Sequence, residues 1–234
     1  AYLALKEMTP NVETKKQSFE IQNFNKKLVF KDVSFSYSND TALLLNNASF
    51  SISPGEFVGI VGQSGSGKTT ILDLITNLLK PTSGEILIDD KPLEEISENS
   101  ISQLIGYVGQ DPFFFNGTIR DNILFGRDNY PDKFIEETLS KVEMLDYLNS
   151  KNEKLDFILA DSGLKISGGQ RQRLNIARAL IGSPKILIMD ESTSNLDSKT
   201  EKKIVSTILS LVKKYSLTVI FVTHRVSAVK KADK

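Results

Sequence analysis

The sequence predicts an α/β fold around a mainly parallel sheet, and three observations carry that prediction. Phe57–Val61, residues 186–189 and Thr218–Thr223 are short, nearly continuous apolar runs rich in β-branched residues, which suits strands covered by helices on both faces. Each run is followed by a segment of helical spacing: residues 68–79, 198–214, and from Val226 onward. Strands that alternate with helices in this way build a layered α/β domain.

Taken in order, residues 1–27 mix Pro10, Asn11, Asn23 and Asn25 with Lys15, Lys16, Lys26 and Lys27 and lack steady apolar periodicity, which reads as a linker. From Val29 the pattern changes. Val33, Phe35 and Tyr37 alternate with serines, as do Ala48, Phe50 and Ile52, so a half-buried strand pair is expected before the first buried strand. Residues 112–182 carry helical patterns over 134–149 and 170–181 and few strand signals, which reads as a helical insertion in the α/β core.

Composition removes several function classes. Lys plus Arg and Asp plus Glu are 29 each, so no broad basic surface for nucleic acid is expected. The chain has no cysteine and one histidine, His224; thiolate zinc sites, iron–sulfur clusters, cysteine nucleophiles and histidine-cluster metal sites are therefore out. No apolar stretch in the sequence is long enough to span a bilayer.

One motif carries chemistry at once. Gly62, Gln63, Ser64, Gly65, Ser66, Gly67, Lys68 and Thr69 fit G-x-x-x-x-G-K-S/T, after a buried strand and before a helix, the context the motif requires. Glycines let backbone amides turn inward on a phosphate chain, and the helix N-terminus adds partial positive charge. Lys68 is then placed for the β- and γ-phosphates and the Thr69 hydroxyl for Mg²⁺. The competing reading, a Gly/Ser loop that only turns the chain, leaves the strand–loop–helix context unused. Downstream, the 186–189 strand delivers Asp190 and Glu191 at its C-terminal end, the ligand edge of such sheets. Asp190 suits Mg²⁺ and Glu191 the attacking water; the alternative is that the pair only caps the turn at Ser192 and Thr193.

Ile166, Ser167, Gly168, Gly169, Gln170, Arg171, Gln172 and Arg173 resemble the LSGGQ signature of the ATP-binding cassette (ABC) family, with Ile166 where Leu is usual. Ser167 suits an N-cap and the glycines a close backbone approach. The resemblance implies a RecA-like P-loop core, an N-terminal antiparallel β subdomain and the helical subdomain insertion, over residues 28–234. It implies ATP and Mg²⁺ as ligands, with the phosphate loop extended to Thr70. It further implies that Ser167, Gly168, Gly169 and Gln170 serve the γ-phosphate held by an opposite protomer. Gln110 resembles the Q-loop glutamine, close to Mg²⁺ and the water; residues 194–197, ending in Asp197, resemble the D-loop; His224 resembles the switch histidine. Tyr37 resembles the aromatic that stacks on adenine, a strand residue in the core being its other reading.

The run from Phe113 to Ile123, F-x-G-T-I-x-x-N-I in pattern, resembles exporter-type cassettes. The resemblance then implies an ATPase acting as a head-to-tail dimer, homo- or heterodimeric, at the cytoplasmic face of a membrane. It also implies coupling helices of a fused membrane domain as partners, no nucleic acid, residues 1–27 as the connector, and a domain that continues in the family beyond the switch histidine. Ala160, Asp161, Ser162 and Gly163 depart from the family's usual Gly-Glu-Arg-Gly-like segment. Rival readings are a soluble ATPase of the same family, a P-loop kinase or GTPase, and a non-hydrolytic nucleotide sensor. The 113–123 segment, the absent N-K-x-D motif, and Glu191 with His224 disfavour them in turn.

Overall fold

The computed structural model describes residues 18–38, 42–127, 130–159 and 166–234; the first seventeen residues of the expected connector and the departure at 160–163 lie outside them. Two four-stranded sheets form the frame. β1 (Leu28–Phe35), β2 (Leu45–Ile52), β4 (Ser83–Ile88) and β5 (Lys91–Pro92) make an antiparallel sheet in the order β2-β1-β4-β5. β3 (Phe57–Val61), β10 (Thr218–Thr223), β9 (Ile186–Asp190) and β6 (Ile105–Val108) make a parallel sheet in the order β3-β10-β9-β6. The α/β class, the parallel core and the separate antiparallel sheet follow the sequence reading.

Side-chain alternation divides the core at the parallel sheet. Ile186, Ile188, Ile220 and Val222 face the cluster shared with α1 (Lys68–Ile75) and the antiparallel sheet. Leu187, Met189, Val219 and Phe221 face the cluster shared with α6 (Gly168–Leu180) and α7 (Ser198–Tyr215). Both sets are buried, which explains why these strands read as continuous apolar runs. Each such side chain contributes about 1.5–3 kcal/mol by leaving water.

Between the sheets' segments run α2 (Glu98–Leu104), α3 (Ile119–Leu124), α4 (Asp132–Lys141) and α5 (Leu145–Asn149), with a two-stranded pair of β7 (Gly117–Thr118) and β8 (Ile158–Leu159). Three helix readings change. The helix expected over 68–79 ends at Ile75, because Asn77 takes a left-handed φ of 60° and turns the chain out. The 134–149 pattern is two helices, parted where Glu143 has φ 57°. From Val226 there is only a 3-10 turn, Val226–Val229; beyond it Asp233 and Lys234 bond to Phe57 and Gly59 of β3. In residues 18–27, Ile21 and Phe24 are buried with the antiparallel sheet's core and Phe19 bridges to Ile96.

Candidate functional site

All four parallel strands run their carboxyl ends to one edge, and each delivers a sequence-predicted residue there. β3 leads into the loop from Gly62 to Thr69, β6 toward Gln110, β9 ends on Asp190 before Glu191, and β10 is followed by His224. A cleft of about 580 Å³ opens at this edge, lined by Tyr37, Ser64, Gly65, Gly67, Lys68, Thr69, Thr70, Gln110, Asp190 and Glu191, with Ala42 and Leu44. Side chains from five separate stretches of sequence thus meet in one cavity.

The loop is shaped for close approach. Gly67 is the N-cap of α1 in a left-handed conformation (φ 86°), and no side chain caps the helix, so the first-turn amides keep their capacity for an anion. A Cβ on Gly62 would sit 2.5 Å from Ser66 Oγ. Lys68 is buried; its Nζ donates to the Gln63 carbonyl at 2.8 Å and lies 3.3 Å from Glu191 Oε1. Glu191 Oε2 lies 3.9 Å from His224 Nδ1. Glu191 itself has φ 44°, a strained conformation for a residue with a side chain. Its N–H donates to Val222 of β10 and its carbonyl accepts from Ser194, both at 3.0 Å.

Asp190 Oδ2 accepts the Thr69 hydroxyl at 3.5 Å and the Tyr107 hydroxyl at 3.0 Å. Burial, then the Asp190 charge, hold the Tyr107 phenol well above its usual range. Asp73 on α1 is pushed up by burial and by Asp190. Among the described residues no group of three or more His, Cys, Asp or Glu could hold a metal ion. A hydroxyl and one carboxylate, hard oxygen donors, fit Mg²⁺, which takes its remaining ligands from phosphates and water.

The remaining predicted residues divide. Tyr37 lies beyond the end of β1, is 66% exposed, and hydrogen-bonds Thr70 through its hydroxyl at 3.0 Å; its core reading is excluded. Ser167, Gly168, Gly169 and Gln170 do not line the cleft. Ser167 caps α6, its Oγ accepting from Gln170 N at 3.2 Å while Gln170 Oε1 accepts from Ser167 N at 2.9 Å. Asp197 is also outside the cleft: its carboxylate accepts from Lys199 and Thr200 as the N-cap of α7, and the Thr200 bond lowers its pKa. Sequence reasoning missed Tyr107, Asp73, Arg225 and Glu201. Tyr107 had a faint signal, since it projects opposite to Gly106 and Val108, which are buried.

Fold and cleft together define a P-loop nucleoside-triphosphate-binding domain. The ABC transporter family model matches residues 45–194, and the chain belongs to that family, as an ATPase domain. It is 40% identical over 220 residues to the heterocyst differentiation ATP-binding protein HepA of Nostoc sp., covering 94% of this chain and 36% of that protein. It is 35% identical over 228 residues to the ATP-dependent lipid A-core flippase of Syntrophus aciditrophicus, covering 97% and 37%. A solved bacterial Atm1-family ABC exporter with ATP bound superposes with a TM-score of 0.80 at 32% identity, covering 99% of this chain and 41% of that one. The chain therefore spans well under half the length of these relatives. Among its described residues no helix is long and apolar enough to cross a membrane.

Proposed function

We propose that this domain binds and hydrolyses ATP with Mg²⁺ in the cleft and works as one half of a head-to-tail pair that powers an exporter or flippase. The observation that carries the reading is the meeting of Lys68, Thr69, Gln110, Asp190 and Glu191 in one cleft, with His224 at 3.9 Å from Glu191. The loop from Gly62 to Thr70, the open end of α1 and Lys68 hold the phosphates, and Tyr37 offers an exposed ring to the adenine. Thr69, Gln110 and Asp190 hold the metal. Bound there, Mg²⁺ would draw charge from the phosphoryl oxygens.

Glu191 orients and deprotonates the water. Lys68 steadies its carboxylate, and the phosphates compete for that same lysine, so nucleotide entry releases Glu191 toward the water. His224 reads the γ-phosphate. The Ser167–Gly169 tip, absent from its own chain's cleft, serves the opposite copy, homo- or heteromeric. Phe113 is exposed on the segment expected to receive coupling helices of a membrane domain, which supports a place for the domain at the cytoplasmic face of a membrane.

The test uses the full-length chain. Glu191→Gln lowers phosphate release at least ~100-fold, the scale of a lost general base, with ATP affinity held; near-normal release would reassign the base. This domain has no cysteine, so Ser64→Cys paired with Ser167→Cys reports the pairing: a crosslink between copies that requires nucleotide supports it. Absence of that crosslink overturns the head-to-tail pair.

A further inference from the structure

His224 is followed at once by Arg225, whose guanidinium contributes nothing to the cleft. It turns toward the neighbouring loop instead. Nη1 donates to the Leu196 carbonyl at 3.3 Å and to Glu201 Oε2 at 3.2 Å, and Nη2 to the Ser194 carbonyl at 3.1 Å. Glu201, in the first turn of α7, is buried, and its other oxygen accepts from the Thr193 hydroxyl at 2.9 Å. One planar cation thus fastens the 194–197 loop and the start of α7 to the end of β10. The loop depends on such a fastening. The hydroxyls of Ser192 and Ser194 are buried without a hydrogen-bond partner among the described residues; besides Arg225, Asn195 tethers the loop to Asp111 at 3.2 Å and the Asp197 carboxylate holds its end to the start of α7.

The far side of this loop meets the signature helix. A Cβ on Gly168 would lie 3.4 Å from Leu196 Cδ2, and one on Gly169 would lie 2.7 Å from Thr200 Cγ2. The glycines of the tip are therefore packed against the loop and helix turn that Arg225 grips. The path runs from His224 through Arg225 to Leu196 and to Glu201, the chain neighbour of Thr200, and from Leu196 and Thr200 to Gly168 and Gly169 beside Ser167.

We propose that Arg225 is a positioning residue that ties the γ-phosphate sensor of one nucleotide site to the Ser-Gly-Gly tip that completes the other. The inference rests on the head-to-tail reading given above. A shift of His224 as phosphate arrives or leaves then moves the tip presented to the other copy, so each site reports its state to its neighbour. Arginine suits the task because a rigid fork can hold two carbonyls and a carboxylate at once, where lysine offers a single point charge.

The test is a mixed pair of differently tagged full-length chains. One copy carries Lys68→Ala, so the surviving site uses the other copy's cleft and the Lys68→Ala copy's tip. Arg225→Met is then added to the Lys68→Ala copy, whose own His224 serves only the disabled site. The expected result is a fall of about tenfold in single-turnover rate with KM for ATP moving less than about twofold, the mark of a lost transition-state contact. Arg225→Lys in the same place, a milder change to the fold, gives a smaller loss. An unchanged rate overturns the proposal, as does a loss seen only when Arg225→Met sits beside the intact Lys68, since Arg225 would then act on His224 alone. Ser167→Arg in the Lys68→Ala copy is the separate control: if it spares the surviving site, the head-to-tail reading fails, whatever Arg225 does.

Discussion

Two helices, α1 and α6, begin at glycine-rich turns, and their N-termini are finished in opposite ways. α1 starts from Gly67 with no side-chain cap. α6 starts from a full capping box, with Ser167 and Gln170 each bonding the other's backbone. Every helix start has first-turn amides in need of partners, so the first end is made to receive an anion and the second is already stable alone. The difference assigns the work. In the pair proposed above, the cleft would be left open for substrate, while the tip, already capped, would be shown to a second copy whether or not nucleotide is present.

The largest effect expected from breaking this contrast is at Lys68. Lys68→Ala removes charge-assisted bonds to phosphate worth about 1.5–3 kcal/mol each, so ATP affinity by calorimetry should fall about a hundredfold. Unchanged affinity would refute the phosphate cradle. Next is Tyr37. With Tyr37 exposed at the cleft, Tyr37→Ala should cost about 1–3 kcal/mol of ATP affinity, the scale of base–aromatic stacking. Tyr37→Phe, which loses only the hydroxyl bond to Thr70, should keep most of it. Equal losses in both variants would transfer the role from the ring to the hydroxyl.

Ser167→Ala addresses the other helix. Loss of the cap should cost about 1 kcal/mol of stability, read from the denaturant midpoint. ATP affinity of the isolated cleft should not change, because Ser167 does not line it. A weaker cleft in that variant would mean that the tip acts within its own chain.

What could be read beforehand was whatever is written contiguously. The apolar runs of β3, β9 and β10, the loop from Gly62 to Thr69, the Asp190–Glu191 pair and the Ser167 cap each depend on near neighbours in sequence, through period, turn chemistry or spacing. Two kinds of feature were hidden. Helix ends were misjudged where Asn77 and Glu143 adopt left-handed conformations, a choice that ordinary polar residues do not announce. Contacts across the chain were invisible: Tyr107 meets Asp190 from 83 positions away, and Arg225 meets Glu201 only after α7 folds back on β10. Asp197 shows how much a local role can be read from sequence alone: it stands directly before the helical run, and its carboxylate caps α7.

The smallest effect tests the stability side of the contrast. Asp73 is a partly buried acid on α1 whose pKa is raised by burial and then by Asp190, so ionising it costs more in the folded chain than in the unfolded one. Below the unfolded carboxylate range, near pH 3.9, both states hold the proton and nothing is lost. As pH rises through the raised value the folded state is penalised, and at neutral pH the penalty is complete. Asp73→Asn should therefore stabilise the nucleotide-free protein at neutral pH, by a few tenths of a kcal/mol once solvent screening is counted, and by nothing once Asp73 is protonated in both states. Denaturant midpoints at the two pH values measure the difference. A variant less stable at neutral pH would show that Asp73 has a compensating partner, and that this acid near Asp190 carries no electrostatic cost before ATP arrives.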